Sequence, residues 1–114
     1  MNEKEDLIFI EHIIDSIDAI ADFSKEMSKG AFLSSRLKQS AIVREIEIIG
    51  EAAKNISEKL KKEHSEIEWK EISATRDKMI HHYFGVDLDI IWNIIKKNLP
   101  ELKKQVLKIR DQLK

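Results

Sequence analysis

Arg76, Asp77, His81, His82 and Tyr83 fall within eight consecutive residues, and Tyr83 is the sole tyrosine of the chain. Histidine moves protons near neutral pH, so His81 is suited to act as a base or an acid. Arginine carries a permanent planar cation that grips phosphate oxygens and stabilises charge building on a pentavalent phosphorus. A base, an acid and a cation suffice for metal-independent RNA cleavage, in which a 2′-hydroxyl attacks its own phosphodiester. Asp77 could orient the arginine or a histidine through a hydrogen bond, and His82 could serve as a second proton carrier. The plain alternative is structural: Arg76 paired with a carboxylate, His81 half-buried, and Tyr83 packed by its ring.

Spacing limits how these groups combine. On an ideal helix Arg76 and His81, five residues apart, diverge by about 140°. They flank one face and do not stack, so a joint site needs a second surface, which a second copy of the helix would supply. Arg76 and Tyr83, seven apart, share a face. His82 stands one helical step from His81 and reads equally as a surface residue. A metal reading of His81, His82, Asp77 and Asp87 is weak, because helical metal-binding histidines sit four apart whereas adjacent ones diverge by about 100°. No metal and no cofactor is expected. His12 and His64 lie among charged residues and read as surface; Trp69 and Trp92 lie in apolar patterns and read as core before base-stacking platforms. Glu51, beside Gly50, either reaches the site or forms a structural ion pair.

The flanking segments are amphipathic helices. Ile10, Ile13, Ile14, Ile17, Ile20 and Ala21 recur three and four apart, which predicts a first helix from Glu3 to about Ser28 with Gly30 as its stop. Ser34 or Ser35 can cap a second helix reaching about Lys62. Its seam is Ile42, Ile46, Ile49, Ala53, Ile56 and Leu60, while Gly50, Ala52 and Ala53 permit close backbone approach. Ser65 to Glu68 has capping-box form, and a third helix runs from about Trp69 or Ser73 to Phe84, ended by Gly85. Asp87 can cap a fourth helix carrying Leu88, Ile91, Trp92, Ile95 and Leu99, and Pro100 suits the first turn of a fifth with Leu102, Val106, Ile109 and Leu113. The expected architecture is one all-α domain over residues 1–114, an up-and-down bundle of about five helices that dimerises.

With three glycines and one proline, the 114 residues have little material for hairpins, and with no cysteine they hold no disulfide or thiolate zinc site. The N-terminus is acidic where a signal peptide is basic, and Glu11, His12, Asp15 and Asp18 interrupt the apolar run of residues 7–20. A soluble, cytoplasmic protein without a membrane partner is expected. Residues 1–26 hold eight acids against Lys4 and Lys25, whereas residues 96–114 hold seven bases against Glu101 and Asp111. That polarity either offers a basic surface to a polyanion or lets helix faces pair with each other.

Arg76-x4-His81-x-Tyr83, followed by Phe84-Gly85-Val86-Asp87, resembles the signature of HepT-like toxins in the HEPN superfamily. Ala41-Ile42-Val43-Arg44 with Glu47 to Ala53, then Ile67-Glu68-Trp69 and Leu99-Pro100-Glu101-Leu102, fit in the same order along most of the chain. The resemblance implies a helical homodimer acting as a ribonuclease toxin on RNA, such as a transfer or messenger RNA, with Arg76 and His81 of both copies lining a cleft at the dimer axis. It also implies an antitoxin partner, a minimal nucleotidyltransferase of the MntA kind, which neutralises the toxin by transferring AMP to Tyr83. His82 departs from the small residue of many relatives, and Glu68 stands where relatives often carry proline. Two other readings share these residues: a non-catalytic dimeric module that binds a nucleotidyltransferase or RNA without cutting, and a subunit that regulates its partner enzyme.

Overall fold

A computed structural model describes residues 3–81 and 87–114, with only the backbone of Ile80 and His81. The described chain is all-helical: α1 (Glu3–Ser24), α2 (Lys29–Ser34), α3 (Arg36–Asn55), α4 (Glu58–Glu63), α5 (Trp69–His81), α6 (Leu88–Asn93), a π-helical turn (Ile94–Asn98) and α7 (Leu99–Leu113). α3 is the central helix, packed on one side by α1 and on the other by α5, while α7 closes against α1.

The core is built from the expected stripes. Ile10, Ile13, Ile14, Ile17 and Ile20 of α1 are buried against Ile42, Ile46, Ile49, Ala52 and Ala53 of α3, and against Leu102, Val106 and Ile109 of α7. Each buried aliphatic side chain of this kind contributes roughly 1.5–3 kcal/mol over an exposed one. Trp69 is buried, and its indole N–H donates to the His64 carbonyl at 3.1 Å, which fixes the entry into α5. Trp92 is half-buried, its ring 5.6 Å from that of Phe32 and covered by the Lys96 ammonium at 4.7 Å. The acidic and basic ends of the chain meet directly: Lys103 Nζ of α7 lies 2.6 Å from Asp18 Oδ1 of α1.

Several boundaries differ from those expected. α1 stops at Ser24, and the left-handed backbone position after it is taken by Glu26, at φ 58°, whereas Gly30 lies inside α2. α2 is a short extra helix capped by Ser28; Ser35, as expected, caps α3 by accepting from the Lys38 N–H. The long second helix is broken at Ile56, where Ser57 caps a separate α4. The break is held from a distance, because the buried Asp6 carboxylate of α1 accepts from the Ser57 N–H at 2.9 Å and the Ser57 hydroxyl at 2.6 Å. Leu60 stays buried because α4 resumes the same stripe. Residues 64–67 form turns and a bend, so the capping box is not a helix start, and α5 begins at Trp69.

The expected fourth and fifth helices form one continuous rod. Asp87 caps its start, accepting from the Asp89 N–H at 2.8 Å, and Lys29 reaches Asp89 from α2 at 2.8 Å. Pro100 has no N–H, and its ring would clash with the carbonyl four residues earlier in a regular α-helix. The π turn immediately before it widens the coil, with the Leu99 N–H bonded to the Ile94 carbonyl. The expected end of the third helix at Phe84 and Gly85 lies outside the described residues.

Replacing Asp6 by Ala leaves two Ser57 donors without their acceptor, and should lower unfolding free energy by about 1–3 kcal/mol. Urea titration followed by circular dichroism measures this, and an unchanged midpoint would show that the α1–α4 tie carries no stability.

Candidate functional site

The site starts from a missing side chain. Gly50 lies on the face of α3 that meets α5, and a Cβ there would stand 2.4 Å from Arg76 Cβ, 3.1 Å from the Ile72 carbonyl oxygen and 3.2 Å from the Arg76 nitrogen. No side chain fits that space, so the two backbones touch. Two of those three neighbours are backbone atoms, which cannot swing aside. Gly50 thereby sets where Arg76 leaves α5.

The next residue uses that closeness. Glu51 Oε2 lies 2.9 Å from Arg76 Nε, and its other oxygen accepts from the Asn55 amide at 3.4 Å. Arg76 Nη1 lies 3.3 Å from Asp77 Oδ1. The pair that the sequence left open, Glu51 as ion-pair partner or as site residue, is an ion pair in the structure, and its partner is the candidate arginine. A guanidinium has five N–H donors, and these contacts with described residues use two of them. The arginine side chain keeps 31% of its exposure, enough for its fork to meet solvent.

Arg76 opens into a groove of about 190 Å³ between α1, α3 and α5, which it lines with Phe9, His12, Arg44, Glu47 and Glu51. His12 is exposed on α1, its ring edge-on to Phe9 at 6.0 Å. Arg44, 70% exposed, makes one longer contact, Nη1 to Glu47 Oε2 at 3.4 Å. The charged residues around His12 predict a surface position, and it is exposed. Its place in the groove that Arg76 also lines depends on α1 packing across α3, which no local pattern signals. His64, the other surface reading, has a side chain only 13% exposed and lies 3.6 Å from Glu66.

A larger groove of about 450 Å³ lies between α3, α5 and α7, but Glu66, Glu68, Glu71 and Glu101 line it. Glu71 hydrogen-bonds to Glu68 and repels its negative charge, which raises the Glu68 carboxyl above its ordinary range. Such a rim disfavours phosphate. A third groove, of about 690 Å³, sets Lys54, Lys61, Lys62 and Lys70 against Glu58, Glu68, Glu71 and Asp77, so it is the presence of the motif arginine that makes the Arg76 groove the candidate. Among the described residues no group of three or more His, Asp or Glu side chains could hold a metal ion, and no helix is long and apolar enough to cross a membrane. His81 is the last residue of α5, just over one turn beyond Arg76; its side chain, together with His82 and Tyr83, lies outside the described residues.

Residues 13–109 match the model of the ribonuclease HepT-like family. A probable ribonuclease HepT of Thermococcus cleftensis is 42% identical over 90% of this chain and 93% of its own length. A candidate RNase of Caldanaerobacter subterraneus is 44% identical over 89% and 90% respectively. A Methanocaldococcus jannaschii protein, named as a gamma-glutamylcyclotransferase and candidate RNase, is 41% identical over 96% of the chain, which spans 50% of that relative's length. No solved structure matches. The chain therefore belongs to the ribonuclease HepT-like family, within the HEPN superfamily.

Two predictions follow from the α3–α5 contact. Gly→Ala inside a helix ordinarily stabilises by up to about 1 kcal/mol, but Gly50→Ala should instead destabilise by about 1–3 kcal/mol through overpacking; a raised denaturation midpoint would contradict the close approach. A double-mutant cycle of Glu51→Ala and Arg76→Ala should give a coupling of about 0.2–1 kcal/mol, the range for a partly exposed pair. Strict additivity would show the pair to be absent in solution.

Proposed function

We propose that this chain is a metal-independent endoribonuclease, the toxin of a HEPN/nucleotidyltransferase toxin–antitoxin pair acting in the cytoplasm. The observation that carries this reading is the clamped guanidinium of Arg76, whose side chain keeps 31% of its exposure, on the same helix as His81 and in a chain of the HepT-like family. The relatives named for ribonuclease activity support the same substrate class.

In this mechanism His81 removes the proton from a ribose 2′-hydroxyl, whose oxygen attacks the adjacent phosphorus. Arg76 donates to the non-bridging oxygens as negative charge builds there. The bond to the 5′-oxygen breaks, and that oxygen leaves with a proton from the acid, leaving a 2′,3′-cyclic phosphate on one fragment and a 5′-hydroxyl on the other. Asp77 steadies the arginine, and His82 supports proton movement. Because Arg76 and His81 diverge around the helix, a homodimer supplies the facing set, one His81 as base and the other as acid. The RNA is a transfer or messenger RNA.

The partner in this proposal is an MntA-like nucleotidyltransferase. It directs the Tyr83 oxygen onto the α-phosphorus of ATP; pyrophosphate leaves, the phenol loses its proton, and AMP stays on Tyr83. A bulky anion near Arg76 occupies the cation and repels RNA phosphate.

Arg76→Ala and His81→Ala should each reduce RNA cleavage by at least about a hundredfold in purified protein with unchanged circular dichroism. Tyr83→Phe should cut RNA and keep cutting after incubation with partner and ATP. Full cleavage by both alanine variants would remove the mechanism, and AMP incorporation into Tyr83→Phe would move the modification elsewhere.

A further inference from the structure

The groove beside Arg76 contains more cationic and aromatic surface than one arginine and one histidine need. Three helices contribute to it: Phe9 and His12 from α1, Arg44 from α3, and Arg76 from α5. We propose that it is a subsite for one nucleotide of single-stranded RNA next to the bond that is cut, with Arg44 and Arg76 on its phosphate and Phe9 and His12 against its base. This rests on the ribonuclease reading and extends it to residues outside the Arg76–His81 motif.

Size, donors and shape agree on that ligand. A volume of about 190 Å³ lies below the roughly 300 Å³ at which sites for whole drug-sized molecules begin, so the groove takes one unit of a longer polymer. Arg44 spends one contact, at 3.4 Å, on Glu47 and is 70% exposed, so most of its fork faces water. Glu47 and Glu51 are each engaged with an arginine, at 3.4 and 2.9 Å. They order the two forks while leaving several N–H donors that no other described residue engages. Phe9 and His12, perpendicular at 6.0 Å, form a corner with two ring systems. Flat rings beside a phosphate grip suit an unpaired base, since stacking accepts any base and needs an unstacked strand. The acid-rimmed groove on the other side of α5 offers neither feature.

The test uses the full chain with a short fluorescein-labelled 2′-O-methyl oligoribonucleotide, which binds but cannot be cut, followed by anisotropy across a salt series. Cleavage of the unmodified oligonucleotide is measured alongside. Arg44→Ala should weaken binding about tenfold and lower the salt slope by roughly 0.7, the value for one phosphate contact on a single strand. His12→Ala should weaken it several-fold, and Phe9→Leu, which keeps the apolar packing, should weaken it without changing the slope. Lys25→Ala, a charge-matched exposed control, should bind as wild type. Wild-type binding by Arg44→Ala, His12→Ala and Phe9→Leu, with wild type cutting normally, overturns the subsite and leaves the nuclease reading standing. Weakened binding in these variants, with no cleavage by wild type, leaves a nucleotide-binding groove but removes the nuclease reading and, with it, the place of the groove beside a cut bond. If wild type neither binds nor cuts, both fall.

Discussion

The contact between Gly50 and Arg76 is the constraint on which the candidate site depends. With no side chain at Gly50, α5 lies backbone to backbone on α3, and the atom nearest to where a Gly50 Cβ would stand is the Cβ of Arg76. Glu51, one residue on, then meets Arg76 Nε at 2.9 Å, and Asn55, a turn further, steadies Glu51. A larger residue at position 50 would move α5 away and separate the carboxylate from the guanidinium together. Packing and electrostatics are therefore one arrangement here: the absence of a methyl group sets the geometry of an ion pair.

The same logic explains which parts could be read along the chain. Helical stripes depend on period alone, and Ile42, Ile46, Ile49, Ala53 and Ile56 are all buried as their spacing requires. Gly50 was legible as a place of close approach, though not which helix would approach it. Breaks were harder, because they depend on partners far away in sequence. The α3–α4 break keeps the apolar phase, so periodicity runs through it unchanged. Ser57 followed by Glu58 was the one local signal for a new helix start, and its decisive partner is Asp6 on α1. Glu26 takes the left-handed turn that Gly30 was expected to make, and no pattern in the sequence marks that choice. His12 illustrates the limit most clearly, for its neighbours in sequence say surface while its neighbours in space are Phe9, Arg44 and Arg76.

Charge is distributed to the same end. The acidic start and basic end of the chain meet at Asp18 and Lys103 across α1 and α7, so part of that polarity is spent inside the fold. The groove at Arg76 instead keeps arginines whose forks are only partly used by the described residues, while four glutamates line the groove between α3, α5 and α7.

In the proposed mechanism Arg76 and His81 cut RNA through the RNA's own 2′-hydroxyl. The most direct measurement is mass spectrometry of the fragments that the purified wild-type protein releases in the presence of EDTA. Cleavage by this route releases fragments ending in a 2′,3′-cyclic phosphate, paired with 5′-hydroxyl ends. Fragments ending in a 3′-hydroxyl, formed only when a divalent metal is restored, would contradict it.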